Sequence, residues 1–407
     1  MGAAPPRANQ EPCREGKGEM TVIVAGMVGL DLIPALPADA AGLRFRPGVV
    51  VRTGPARIAP GGCVANTGTA LHRLGVPVRL LGKIGDDAFG RIVQDLLAGV
   101  GDRPLLVAPG ETTAHSFVLS PPGHDRMILN YPGANNTFSA DDIADDMLRD
   151  AALFHFGYPT AMARMFADSG RYLVELMARA RATGLVTSLD MSYPDPASPG
   201  GQADWGQILA ATLPQVDVFM PSLAEAVLVL APPGGTGAAG KDLSAEQVPA
   251  EYISRLGERI LAMGTAIAII KLGTQGVYLR TGARMRLEAV GRNLPLDLDA
   301  WAGRELWANI FEAQVAGTTG AGDATAAGLL LGLVRGMTPE DTITAGCAVG
   351  GSSVEAADAV SAIGHWDATA ARMAAGWPRR VAAPGAGWKP AVPPGVWMGP
   401  ADTRMRE

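Results

Sequence analysis

The run Thr318-Thr319-Gly320-Ala321-Gly322-Asp323 stands directly before a small, apolar stretch, residues 324–331. If that stretch is helical, the glycines lie at its N-terminus, where free backbone N–H groups and the positive end of the helix dipole suit a phosphate. An aspartate beside a moving phosphoryl group is electrostatically costly unless it takes the proton from the attacking hydroxyl. The run therefore points to phosphoryl transfer with Asp323 as the base. A Gly-rich loop with Asp323 as an ordinary N-cap would look the same, so other segments must decide.

Those segments are Gly61-Gly62-Cys63-Val64-Ala65-Asn66, Leu74-Gly75, and the stretch 81–90 with Gly82, Gly85, Asp86, Asp87 and Gly90. With them come residues 26–31, Tyr131-Pro132-Gly133-Ala134-Asn135, Pro221-Ser222-Leu223-Ala224-Glu225 and Lys271-Leu272-Gly273-Thr274-Gln275-Gly276. In this order and spacing the chain, from about residue 21 to 363, resembles the ribokinase family, the ribokinase and phosphofructokinase-B group of carbohydrate kinases. The resemblance implies an α/β fold, ribokinase-like: a mostly parallel, Rossmann-like sheet flanked by helices in three layers, with a small β-sheet lid. It implies an ATP-dependent phosphotransferase with an alcohol group of a sugar or sugar-like small molecule as acceptor. Asp323 is then the general base, and the backbone of Gly320, Ala321 and Gly322 the anion hole.

On the same resemblance Asp31, Gly61, Gly62 and Asn66 bind substrate; a carboxylate and an amide together accept from and donate to hydroxyls. Lys271, Gly273, Gly276, Thr318 and Thr319 match the nucleotide side. Glu225 matches the acid that helps position Mg2+, commonly through water, as hard oxygen ligands suit that ion. A nucleoside kinase of the same family is the alternative, and a non-catalytic ligand-binding relative is the reading from another class. Retention of Asp323 and its loop argues against the latter. Family members often dimerise through their lid sheets, so a homodimer is expected.

Two positions depart from the family pattern. Gly317 stands where the second motif usually opens with an aspartate, which in ribokinase belongs to a potassium site; this puts monovalent-cation activation in doubt. Ser222 replaces the usual asparagine ahead of Glu225. Gly157, in Phe154-His155-Phe156-Gly157-Tyr158-Pro159, lies where some members carry a polar substrate contact and cannot offer one through a side chain. Ribose is therefore not the expected substrate.

Other patterns read as ordinary structure. Residues 235–242 nearly match a phosphate-binding P-loop, but Asp242 replaces the Ser or Thr that would hold magnesium. Asp141, Asp142, Asp145 and Asp146 follow Ser139 as acids favoured in a helix's first turn. His115, His124 and His155 match no metal spacing, although His115 falls on the expected lid.

The elements that must position these residues alternate along the chain. Apolar runs at 21–25, 78–84, 185–189, 216–220 and 266–271 read as strands, and 64–74, 88–97, 165–182, 251–263, 324–334 and 339–357 as helices. That alternation predicts a largely parallel sheet, whose ligands sit at the carboxyl ends of the strands. Residues 49–58 and 114–130 alternate like half-exposed strands of a separate small sheet. The domain reading is a disordered leader over 1–19, a kinase domain over 20–375 with its lid from about 32–60 and 112–132, and a Pro-rich extension over 376–407 expected to be irregular. Residues 281–316 read as a long connection holding Trp301 and Trp307.

Bulk properties agree with a globular enzyme. The chain has 407 residues, enough for one large domain with appendages, and is 48% hydrophobic and 18% charged. A net charge of -6 gives no basic face for nucleic acid. The sequence has no apolar run of membrane-spanning length, so no membrane partner is expected. Three cysteines at non-metal spacings fit a reduced, cytoplasmic setting.

Overall fold

Successive side chains of an extended strand leave on opposite faces, so a strand buried on both sides must be apolar throughout. Val22-Ile23-Val24-Ala25 meets that condition: Val22 and Val24 enter one apolar core, Ile23 and Ala25 a second one across the sheet. The computed structural model describes residues 20–37, 48, 50–120, 127–230, 246 and 248–405. The leader, the Gly/Pro-rich stretch 232–241 and the near P-loop lie outside the described residues, apart from the leader's boundary at residue 20.

The early strands are β1 (Val22–Gly26), β2 (Gly29–Pro34), β3 (Ala56–Gly61), β4 (Val78–Leu81), β5 (Lys83–Gly85) and β6 (Leu106–Ala108). Next come β7 (His115–Leu119), β8 (Met127–Tyr131), β9 (Leu153–Gly157), β10 (Val186–Asp190) and β11 (Val218–Phe219). The last are β12 (Ile267–Lys271), β13 (Val277–Thr281), β14 (Glu305–Ala308), β15 (Lys389–Pro390) and β16 (Val396–Met398). Ten of these form one sheet in the order β15-β16-β14-β13-β12-β11-β10-β9-β1-β4. From β4 to β12 all neighbours are parallel, and from β12 to β15 all are antiparallel.

A second sheet of four strands, β3-β2-β7-β8, stands apart from the first. Residues 51–55, read from sequence as part of its first strand, are irregular, and β3 begins at Ala56. Helix 165–182 also starts later than its pattern suggests. Asp168, Ser169 and Gly170 are left-handed, which breaks the helical path, and the regular helix is Arg171–Ala182. The acids after Ser139 lie in short 3-10 turns, with Ser139 and Asp142 forming a capping box.

Two expectations need correction. Residues 281–316 are not a bare connection: they hold helices Arg284–Asn293 and Leu298–Trp301 and the sheet strand β14. The Pro-rich tail is not irregular either, since β16 pairs with β14 and β15 with β16. Composition misled because the tail's packing comes from a few large side chains between the prolines. Trp377, Trp388 and Val396 are buried, and the Trp307, Trp388 and Tyr278 rings meet edge to face. Arg304, fully buried, is neutralised by Glu340 and by Asp402 of the tail. Among the described residues no helix is long and apolar enough to cross a membrane.

Candidate active site

The parallel strands end together at one rim of the large sheet, and three of those ends lead to polar side chains there. Strand β9 ends at Gly157 and leads into Tyr158, β10 ends on Asp190, and β12 ends on Lys271. Past β11, Glu225 occupies the first turn of helix Leu223–Leu230. Opposite them Gly320 is the N-cap of helix Ala321–Val334, whose first turn carries Asp323. Gly320 is left-handed, with φ 71°, and a Cβ there would fall 2.2 Å from that of Ala359, so only glycine fits the turn.

Asp323 is 2% exposed and fully partnered. Its Oδ2 accepts from Asn66 Nδ2 at 3.0 Å and from the Tyr158 hydroxyl at 2.8 Å, and its Oδ1 accepts from Thr67 Oγ1 at 3.2 Å. Asn66 and Thr67 sit in the first turns of helix Cys63–Arg73, which Gly62 caps. Gly61 ends β3 against Asp31 of β2: a Cβ at Gly61 would lie 2.6 Å from Asp31 Oδ2, so the carboxylate rests on bare backbone. Of the four residues expected to bind substrate, Asn66 touches Asp323, while Asp31, Gly61 and Gly62 lie where the small sheet meets the start of this helix.

Beside the Gly320–Gly322 turn lies a buried charge cluster. Lys271 Nζ donates to Asp190 Oδ2, and a Cβ at Gly322 would meet the same Nζ at 3.7 Å. The ammonium thus faces the first-turn amides of the helix. Burial pushes Asp190 up to about 7 against the pull of Lys271, and burial likewise raises Glu225. Burial alone would lower Lys271, but Asp190 and Glu225 outweigh it and hold the amine above its ordinary value. Burial and the mutual repulsion of the acids outweigh the one ammonium at Asp190 and Glu225, so those two rise while the amine stays charged. Glu225 Oε2 accepts from the Ser222 amide at 2.7 Å, and the Glu225 amide donates to Ser222 Oγ at 3.3 Å.

The remaining expected residues are placed less directly. Ala321 N–H donates to the Thr318 carbonyl at 3.3 Å, so Thr318 and Thr319 shape the approach to the turn. Gly273 and Gly276 form the β12–β13 turn; Gly276 packs against the Ala308 carbonyl rather than against the carboxylates. Among the described residues no group of three His, Cys, Asp or Glu could itself hold a metal. A single buried carboxylate, Glu225, fits Mg2+, which keeps several waters and borrows ligands from phosphates. For a triphosphate the fitting features are the first-turn amides and the Lys271 ammonium beside them.

His115 lies on β7 among Phe89, Phe117 and Tyr131. His155 is buried with Nδ1 3.0 Å from Ser188 Oγ, and burial followed by Lys271 depresses it to about 3, so it stays neutral. Thr67, Tyr158 and Asp190 escaped the sequence reading. An acid closing an apolar strand was a signal for Asp190, because buried acids need a partner. Nothing local marked Tyr158, whose role depends on a partner 165 residues away.

Three comparisons bear on this arrangement. Residues 29–364 match the family model described as pfkB family carbohydrate kinase. Maize fructokinase-1 is 29% identical over 198 residues, 47% of this chain and 57% of the relative, so the match spans little more than half of that enzyme. An uncharacterised sugar kinase of Archaeoglobus fulgidus is 27% identical over 276 residues, 67% of this chain and 88% of its own. Among solved structures, Arabidopsis thaliana ribokinase complexed with ribose and ATP superposes with a TM-score of 0.66 at 19% identity, covering 87% of this chain and 98% of that one. Fructokinase with bound ATP from Xylella fastidiosa gives 0.64 at 21%, with the same coverage. The fold is ribokinase-like.

The charge cluster makes a testable statement about stability. Lys271→Met and Asp190→Asn should each destabilise the protein, the former by about 3–5 kcal/mol because it strands buried carboxylates. The double variant should be less unstable than the sum of the two by about 1–3 kcal/mol. Urea unfolding of all four proteins measures this, and strict additivity would show that the pair does not interact.

Proposed function

The chain belongs to the pfkB family of carbohydrate kinases, and on that premise we propose that it transfers the γ-phosphate of ATP to a hydroxyl of a sugar or sugar-like molecule. The observation that carries the reading is the meeting of Asp323, its helix N-terminus and Lys271 at the carboxyl ends of the parallel strands, with Asn66 bonded to Asp323. Asp31 and Asn66 orient the acceptor, one accepting and the other donating. Asp323 takes the hydroxyl proton as the acceptor oxygen bonds to the γ-phosphorus and the bond to the ADP oxygen breaks. The amides of the Gly320–Gly322 turn face the charge that builds on the equatorial oxygens, and Lys271 adds a fixed positive charge beside them. Thr318, Thr319, Gly273 and Gly276 shape the walls on the nucleotide side. Glu225 would hold Mg2+ through water, and the ion would supply charge neutralisation between the phosphates. The small sheet acts as the lid that excludes water from the bound sugar.

The reading needs no monovalent cation. Gly317 leaves no room for an acid without a shift, since a Cβ there would lie 3.0 Å from Ala357 Cα and 3.1 Å from the Ala356 carbonyl. The loop that follows is already served by guanidinium groups. Arg73 Nη1 donates to the carbonyls of Val360, Ser361 and Ile363 at 3.1, 3.0 and 3.4 Å, and Arg57 Nη2 to that of Ala357 at 3.3 Å.

The reading also includes a homodimer through the small sheet. One face of it exposes Ile58, Phe117, Met127, Leu129 and Tyr131, which the strand register sets side by side.

ADP release over a panel of sugars and nucleosides should reveal an acceptor that stimulates turnover, and Asp323→Ala should cut that rate roughly a hundred- to ten-thousand-fold. Binding without turnover across the whole panel would sink the kinase reading, and a nucleoside as the best acceptor would move it to that branch. With the active acceptor, exchange of potassium for choline should change the rate by less than about twofold, under half a kcal/mol in barrier; loss of activity would restore a cation requirement. Sedimentation at micromolar concentration should give twice the chain mass of 42.0 kDa, and Leu129→Lys should shift it to one chain. A wild-type mass of one chain contradicts the dimer.

A further inference from the structure

We propose that the Tyr158 hydroxyl occupies the place on Asp323 that the acceptor hydroxyl takes during transfer, and so keeps water off the base until the acceptor displaces it. This rests on the kinase reading above. A carboxylate oxygen accepts about two hydrogen bonds. Asp323 Oδ2 already has two, from Asn66 at 3.0 Å and Tyr158 at 2.8 Å, while Oδ1 holds Thr67. A general base must come within hydrogen-bond reach of the proton it removes. Oδ2, the oxygen on the side of the half-exposed Tyr158, is thus filled, and an acceptor that comes to it must displace one of its two donors. Asn66 and Thr67 are neighbours on one helix that packs against the helix of Asp323, and they hold the carboxylate from that side.

Tyr158 is the donor of a different kind. Its backbone is left-handed, φ 68° and ψ 42°, which is strained for a large side chain and persists only where the surroundings demand it. The strain is what turns the chain at the end of β9 so that the phenol reaches the carboxylate. The amide of the same residue donates to the Asp190 carbonyl at 3.3 Å, which pins the turn. Tyr158 is half-buried and Asp323 buried, so solvent reaches the tyrosine and not the base. Burial and the Asp323 and Asp190 charges push the phenol far above its ordinary pKa, so it remains a neutral O–H donor, as an alcohol is.

Without the phenol a water molecule can take its place. Asp323 would then remove a proton from that water as its oxygen bonds to the γ-phosphorus and the bond to the ADP oxygen breaks, releasing ADP and inorganic phosphate. Tyr158 is thus a positioning residue whose loss lets ATP be hydrolysed without acceptor.

The test compares wild type and Tyr158→Phe for ADP release from Mg-ATP, with and without an acceptor that the wild type phosphorylates. The ratio of acceptor-independent to acceptor-dependent release should rise about tenfold, a shift of about 1.4 kcal/mol between the two barriers. The excess should vanish in the double variant Tyr158→Phe with Asp323→Ala. A ratio unchanged within about twofold, or a parallel fall in both rates, overturns the proposal. If Tyr158→Phe does not fold, the wild type decides: acceptor added without nucleotide should shift the tyrosine ultraviolet band to the blue as the phenol leaves the carboxylate. An unaltered spectrum at saturating acceptor overturns the idea. A wild type that phosphorylates no acceptor fails at an earlier step and removes the kinase reading itself.

Discussion

Three carboxylates and one ammonium share the rim of the large sheet, and most of the architecture can be understood as what makes that tolerable. Asp190, Glu225 and Asp323 are all buried, and Lys271 is the one basic side chain among them. Burying a charge costs several kcal/mol unless it is paired and hydrogen-bonded. Each acid is accordingly tied down: Asp190 by Lys271 and the Met191 amide, Glu225 by Ser222, and Asp323 by Asn66, Thr67 and Tyr158. The cluster still carries more negative than positive charge, and its natural complement is a cation that arrives with an anion. A magnesium-bound nucleotide has both parts.

The parallel run from β4 to β12 is what brings these groups to one rim, because strands in the same direction end on the same side. The helix of Asp323 adds its N-terminus to that rim, so amides and ammonium face one volume. Beyond β12 the strands turn antiparallel. The insert and the tail extend the sheet and bury its aromatic side chains, with Arg304 joining the two.

Much of this was legible from residue order. The strand–helix alternation announced the parallel sheet, and the Gly-Ala-Gly-Asp run together with Gly61, Gly62 and Asn66 marked the places where backbone must be approached closely. The tail and the 281–316 segment were misread because pairing of β14 with β16 joins residues about ninety positions apart, which no local window contains. Lys271 was found as part of a glycine-bearing turn, but its charge partner Asp190 was not, since a strand's last residue shows its burial only once the sheet is assembled. Tyr158 was hidden for the opposite reason. Its neighbour Gly157 was examined for what its side chain lacks, while a strained backbone one residue later supplies the hydroxyl.

The buried Arg304 has a bearing on how the chain is made. Its guanidinium is fully enclosed, and one of its two carboxylate partners, Asp402, lies 98 residues further along. A ribosome delivers Arg304 well before Asp402, and at roughly 5–20 residues per second that interval lasts about 5–20 s. Until then the growing polypeptide can offer the cation only Glu340, so the antiparallel side of the sheet is the last to be sealed. A polypeptide cut short before Asp402 would keep the charged rim at the other side of the sheet yet carry an under-compensated cation in its interior.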